Sequence, residues 1–502
     1  MICRLDRYWR SLTVWVGVFG LAGIALLGSL RQEAHGQGEA SKPLPKLYFG
    51  SQACATAGCH EKGQVANKGQ VANPPLLCRG DEWDRFKAHD RHGDAYKALT
   101  GELGIAILKR LNLGDPQKAK ACLACHSVNI EKDAIKHDTF QIGEGVGCVV
   151  CHGAHEKWVG AHSLVLSRAA FRILSRDKKE AEYGMTDLWD PAKRTALCAS
   201  CHIGNHTEGK FVTHEMYAAG HPILPGFEVA TFSEQMPRHW QLIREKLPEV
   251  QKIQGYSGSE WEESQLLLVG SAVTLRESMR LLAKQAEYAS LKGEMLDWAL
   301  LDCISCHHDL RLPSWRQEQA RLGKPGRVPP KNWPTTLALL AGEWAQSREA
   351  LGPLKSELFA ATQARPFGDP QKVALAANRM ADWADRVAKE LSGKPLNPTT
   401  GPKLGDHLLK LGLTPPADFD SARQTGWALT LYRAEEMALL GVKRPQWDSF
   451  LGEATTRLAL KLPFGRSVNP AERNKEILAQ QYAFDPENFF RWMQNAPKVW
   501  KD

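Results

Sequence analysis

Gly145-Val146-Gly147-Cys148-Val149-Val150-Cys151-His152 holds one of four copies of Cys-x-x-Cys-His, and these copies decide how the whole chain is read. The others are Cys122/Cys125/His126, Cys198/Cys201/His202 and Cys303/Cys306/His307. A stretched form runs Cys54-Ala55-Thr56-Ala57-Gly58-Cys59-His60. The spacing is that of covalent c-type haem attachment. Two thiols add to the porphyrin vinyl groups, and the adjacent His turns back to ligate iron. Zinc sites rarely place His directly after the second Cys at every copy. A disulfide across two residues is a strained closure and leaves the His unexplained. In the stretched form two extra residues can loop out while both sulfurs reach the same porphyrin edge, and Gly58 eases that loop. The expected cofactor is therefore haem c, five in all, using ten of the twelve cysteines. Of the two left over, Cys78 follows Leu76-Leu77 and reads as a buried free thiol.

Residues 1–36 read as a signal peptide or N-terminal anchor. Arg4, Arg7 and Arg10 form a basic start, Leu12 to Leu30 is nearly all apolar, and Ala34-His35-Gly36 is a small-x-small cleavage site. The apolar run is long for a signal peptide and just long enough to span a bilayer. Either outcome exports the chain to the periplasm or another extracytoplasmic space, where c-type haem is attached. The formal charge is +8, of which segment 1–36 carries +2. Haem propionates would offset the remainder, so the bare charge misleads about partners. Lys and Arg are scattered and no base-reading motif occurs, which excludes a nucleic-acid reading.

The fold class expected is mainly α. A multihaem cytochrome c domain with long loops spans 37–315, and a helical C-terminal region without cofactor spans 316–502. Within the first, KGQVAN occurs twice in succession at 62–73, a tolerated loop duplication. With roughly 50 residues per haem there is too little chain to wrap each porphyrin in its own core. The cofactors must form much of the core and lie close together. Ser259–Leu300 carries an apolar repeat near the 3.6 period and reads as one helix delivering the last motif. Further amphipathic helices are expected near 335–351, 371–391, 421–440 and 446–461, separated by Gly/Pro clusters such as Pro398–Pro402. This region reads as a cap on the haem domain or an oligomer surface.

The motif histidines are His60, His126, His152, His202 and His307. Ten others lie in the haem region: His89, His92, His137, His155, His162, His206, His214, His221, His239 and His308. That supply suffices for a second imidazole on every iron, which would close the irons to substrate and suit them to electron transfer. His89 and His92 sit three apart before a helical run, so both can face one side. His214 and His221 are seven apart, two helical turns. His162 follows the third motif by ten residues, a loop-back distance. His137 and His206 have weak context, and His308 abuts a motif His.

Six stretches resemble bacterial multihaem cytochromes of the cytochrome c-554 type. They are YFGSQACATAGCH at 48–60, DRHGDAYKAL at 90–99, GVGCVVCHGAHEKWVGAH at 145–162, LCASCHIG at 197–204, HEMYAAGHP at 214–222 and DCISCHHDLRLPSWRQ at 302–317. The resemblance implies stacked haems that carry electrons between a donor and an acceptor protein in a respiratory redox chain. It also implies His92, His162, His214, His221 and His239 as distal ligands. This chain departs from the type in offering five motifs rather than four, in its stretched first motif and in its helical tail. The competing function is an oxidoreductase acting on a small nitrogen or sulfur compound at one open iron, although no Cys-x-x-Cys-Lys is present.

Overall fold

The computed structural model describes residues 46–55, 60–61, 78–128, 130, 134–154, 156–253, 261–308, 310, 312, 323–324, 326–463, 467 and 469–500. The N-terminal segment 1–36, Cys59, the tandem repeat at 62–73 and His155 lie outside them. The described chain is mainly α, as its periodicity predicts. The only sheet among the described residues is a parallel pair, Leu47–Tyr48 against Ile135–Lys136. No described helix is long and apolar enough to cross a membrane.

Two textures follow one another along the chain. Up to about residue 190 the helices are short, such as Glu82–His89, Lys120–His126, Cys148–His152 and Glu156–Ser163. Their apolar clusters are correspondingly small: one centres on Tyr48, Val128, Val149 and Ala154, another on Tyr96, Leu99 and Leu123. Beyond that point the helices lengthen around Glu262–Lys292. Leu267, Val269, Ala272, Val273 and Leu275 in this long helix are all 0% exposed. The stretch Leu266–Leu275 is buried on every side, and such a stretch must be covered all round. Here the cover is Pro191–His202, Val229–Gln235, Trp333–Trp344, Pro370–Ser392 and Phe419–Leu440. Gly270 permits one of these approaches, since a Cβ there would meet Val229 Cγ1 at 2.4 Å.

The start of the long helix is buried, so its free N–H groups need partners. Glu435, from Phe419–Leu440, accepts from the backbone N–H of Glu263 at 2.9 Å and of Ser264 at 2.8 Å. Arg244 donates to both carboxylate oxygens of Glu263, at 2.8 and 2.9 Å. The helix ends at Lys292 with Gly293 in the left-handed region, φ 69°. It is thus shorter than the expected 259–300, and a loop and a short 3-10 turn, Trp298–Leu300, intervene before the last motif. Helices Leu351–Gln363, Gly401–Gly412, Pro470–Ala483 and Pro486–Met493 add to those foreseen.

Candidate functional site

Each regular motif sits at the end of a helix or in a tight turn. Cys122, Cys125 and His126 close Lys120–His126, Cys148, Cys151 and His152 form Cys148–His152, and Cys198, Cys201 and His202 close Pro191–His202. At spacing i, i+3, i+4 the three side chains share a face. Cys303, Cys306 and His307 occupy a turn in which the His307 N–H donates to the Cys303 carbonyl at 2.8 Å. Cys54 ends the 3-10 turn Ser51–Cys54.

Four motif imidazoles face a second imidazole from elsewhere in the chain. The ring centroids of His60 and His162 are 5.8 Å apart, those of His202 and His92 6.1 Å, of His126 and His221 6.2 Å, and of His307 and His214 6.3 Å. The fifth, His152, has its pKa lowered to about 4, first by burial and next by the charge of neighbouring His239. So four of the motif histidines have an expected distal histidine beside them, and the fifth, His152, feels the charge of the remaining one, His239.

The pairing differs from simple spacing arguments. His162 lies with His60 rather than looping back to its own motif. His214 and His221 are not two turns of one helix: His214–Ala218 is short, and the two rings face different motifs. His89 and His92 do not share a face, because the helix stops at His89 and Asp90 redirects the chain into the 3-10 turn Arg91–Asp94. His89 is exposed. The turn that sets His92 is locked by Gly145, at φ +72°, where a Cβ would meet the His92 carbonyl oxygen at 2.4 Å. His137 bonds Thr139 at 2.9 Å and His206 packs on Phe211 at 5.3 Å, while His308 is half-buried.

The donor set fits iron held between imidazoles. A metal–imidazole bond of about 2.0 Å on each side, plus about 1 Å from each ring nitrogen to its centre, puts two centroids about 6 Å apart. Several of the rings are also held toward the neutral form that ligation requires. Burial pushes His162, His202 and His221 down to about 4. His239 is lowered by the same cause.

The thiols adjoin in a row. Cys54 hydrogen-bonds Cys148, which lowers the latter to about 7, and Cys125 hydrogen-bonds Cys201, which lowers that thiol to about 6. Cys151 is pushed up to about 12 by burial and by the neighbouring charge of Cys198. Tyr217 joins the last motif to the second: its ring lies 6.0 Å from His221, and it feels the charge of Cys303.

Several rings have identifiable partners on their outer nitrogen. His60 Nδ1 bonds Glu82 Oε2 at 2.8 Å, and His92 Nδ1 bonds Asp90 Oδ1 at 2.9 Å. His126 Nδ1 lies 2.9 Å from the Ala95 carbonyl and His221 Nδ1 2.8 Å from that of Pro222. The bond to Asp90, working against burial, raises His92, and the bond to Glu82 does the same for His60. The sequence reading missed both carboxylates. Asp90, two residues before His92 at the head of a turn, could have been found as a local cap, whereas Glu82 is 22 positions from His60 with no local signal. Cys78 is a further correction: its side chain is exposed, not buried. Its sulfur lies within 4.8 Å of the His60 and Glu82 ligand atoms.

Paired thiols with an adjoining His, repeated on short helices of a mainly α chain, define a c-type cytochrome, a haem protein of electron transfer that works with redox partner proteins. Residues 53–153 match the family described as cytochrome c554 and c-prime, a stretch that holds the first three motifs. No curated protein and no solved structure matches the chain.

Proposed function

We propose that the chain is a five-haem c-type cytochrome of an extracytoplasmic redox chain, with each iron closed by two histidines. The observation that carries this reading is the set of four ring pairs with centroids 5.8 to 6.3 Å apart, each joining a motif His to a distal His. His60 with His162, His126 with His221, His152 with His239, His202 with His92 and His307 with His214 are the assigned pairs. Cys54 and Cys59, Cys122 and Cys125, Cys148 and Cys151, Cys198 and Cys201, and Cys303 and Cys306 are the thioether positions. Bound haem c supplies one-electron Fe(III)/Fe(II) chemistry, and closed irons suit carriage of electrons rather than capture of substrate.

The residues do the rest. Burial favours the neutral form of the distal rings of His162, His221 and His239. The nearness of Cys54 to Cys148 and of Cys125 to Cys201, the electrostatic influence of Cys198 on Cys151 and of Cys303 on Tyr217, and the Tyr217–His221 ring contact support one order of sites. Numbered along the chain, that order is first, third, fourth, second and fifth.

Two measurements test the reading together. The intact mass of the mature chain should include five haems, and the ferric protein should be low-spin throughout. A mass with four haems would remove Cys54, Cys59 and His60 from the assignment. A persistent high-spin signal that binds cyanide or nitric oxide would favour a catalytic iron instead.

A further inference from the structure

The outer nitrogens of the paired imidazoles do not all meet the same kind of acceptor. At the second site both rings meet neutral backbone carbonyls, of Ala95 and Pro222. At the first and fourth sites one ring of each pair meets a carboxylate. Glu82 accepts from His60 and is itself fixed by backbone N–H groups of Arg79 at 2.6 Å and Gly80 at 2.9 Å. Asp90 accepts from both the ring and the backbone N–H of His92, the latter at 3.0 Å, and its side chain is only 3% exposed. Both carboxylates are therefore locked in place before any iron is considered.

An imidazole that donates Nδ1–H to a carboxylate takes on imidazolate character and becomes a stronger electron donor through its other nitrogen. A fixed negative charge beside a site also favours its more positive state. Both effects favour ferric over ferrous iron. We propose that Glu82 and Asp90 are positioning residues that lower the reduction potentials of the first and fourth sites relative to the second. The proposal rests on His60 and His92 being iron ligands. It makes adjoining sites unequal, since the fourth and second touch through Cys201 and Cys125.

Glu82→Gln and Asp90→Asn test it in the full-length, haem-loaded protein. Asp90→Asn keeps one oxygen for both the ring and the backbone N–H of His92, and Glu82→Gln keeps the oxygen that accepts from His60 and Gly80 while giving up the Arg79 N–H contact; each removes the charge. Redox titration followed in the haem absorption bands, with electron paramagnetic resonance of the ferric form, reads both potential and ligation. Outer partners of metal-bound His are worth about tenfold or more. The expected result is a low-spin protein with one component shifted about tenfold toward the ferrous state, about 59 mV upward for one electron. The double variant should shift two components. An unshifted or downward-shifted titration with low-spin iron overturns the proposal and leaves the ligand pairs standing. A variant turned high-spin also overturns it, because the carboxylate would then be holding the ring rather than tuning it. A high-spin first or fourth site in the unaltered protein would remove the ligand reading itself, and the proposal with it.

Discussion

His239 stands in no motif, between Arg238 and Trp240 in a loop, yet it is the ring whose charge weighs most on His152 after burial. In the proposed ligation the second ring at the third site rests on this one residue. Replacing it with Ala leaves the backbone free to keep its course and deletes the imidazole alone. His239→Ala should convert one low-spin ferric signal of five into a high-spin one that binds cyanide, with the other four unchanged. A spectrum that stays wholly low-spin would take His239 off the third iron. The same scale shows why spacing failed for His89 and His92. Periodicity assumes an unbroken helix, whereas Asp90 adopts extended backbone, φ −85° and ψ 115°, and caps the next turn with its side chain. An Asp at a cap competes with helix continuation, and here it wins, turning His92 toward His202 and leaving His89 exposed.

The helix Phe419–Leu440 begins at Asp418, whose carboxylate accepts the Ser421 N–H at 2.7 Å. Burial first, and then the charge of Asp420, raise the Asp418 pKa to about 6. Its folded-state pKa is thus above the unfolded value near 3.8, so the folded form binds the proton more tightly. Stability from this group is complete below about pH 4 and is lost as pH rises through 4 to 6. The loss should level off near 2 kcal/mol, less than the full linkage value because the residue keeps some contact with solvent. Asp418→Asn retains a good cap. It should melt like the unaltered protein at pH 4 and higher than it at pH 7.5, and equal melting at both would refute the assignment. Other elements, such as Pro370–Ser392, were legible because they carry a clear apolar period along one face. Others were hidden by their own first turns. Gly401-Pro402 reads as a break, but Pro402 stands in the first turn of Gly401–Gly412, where its missing N–H costs nothing. Leu351–Gln363 hides behind Gly352-Pro353 in the same way. The site was legible as a set of ten histidines, five of them fixed by motif. Which ring faces which depends on contacts between residues as far apart as 60 and 162, and no local pattern encodes those.

At the scale of the whole molecule, the C-terminal helices are part of the packing around the long helix that precedes the last motif. The long helix Glu262–Lys292 lies between motifs four and five, yet Trp333–Trp344, Pro370–Ser392 and Phe419–Leu440 bury much of its surface. Glu435 and Arg244 tie its first turn to both sides of the chain. Leu267 and Leu275 are 0% exposed and Leu268 1%. Each such leucine loses about 1.5–3 kcal/mol of burial when laid open to water. A few of them together match the entire stability of an ordinary domain, about 5–15 kcal/mol. Two consequences can be measured. The haem-loaded protein should melt in one step, with the Soret band and the helical circular dichroism changing together. A chain ending at residue 315 would keep all five motifs while opening the long helix to solvent, and it should fail to accumulate as a soluble haem protein. If that shorter chain instead folded with five low-spin haems, or if the full chain melted in two separate steps, the haem region would be self-sufficient and the shared core incidental. The buried leucines argue for the single step, because the stretch Leu266–Leu275 of the long helix is buried on every side and would be laid open once its C-terminal neighbours are gone.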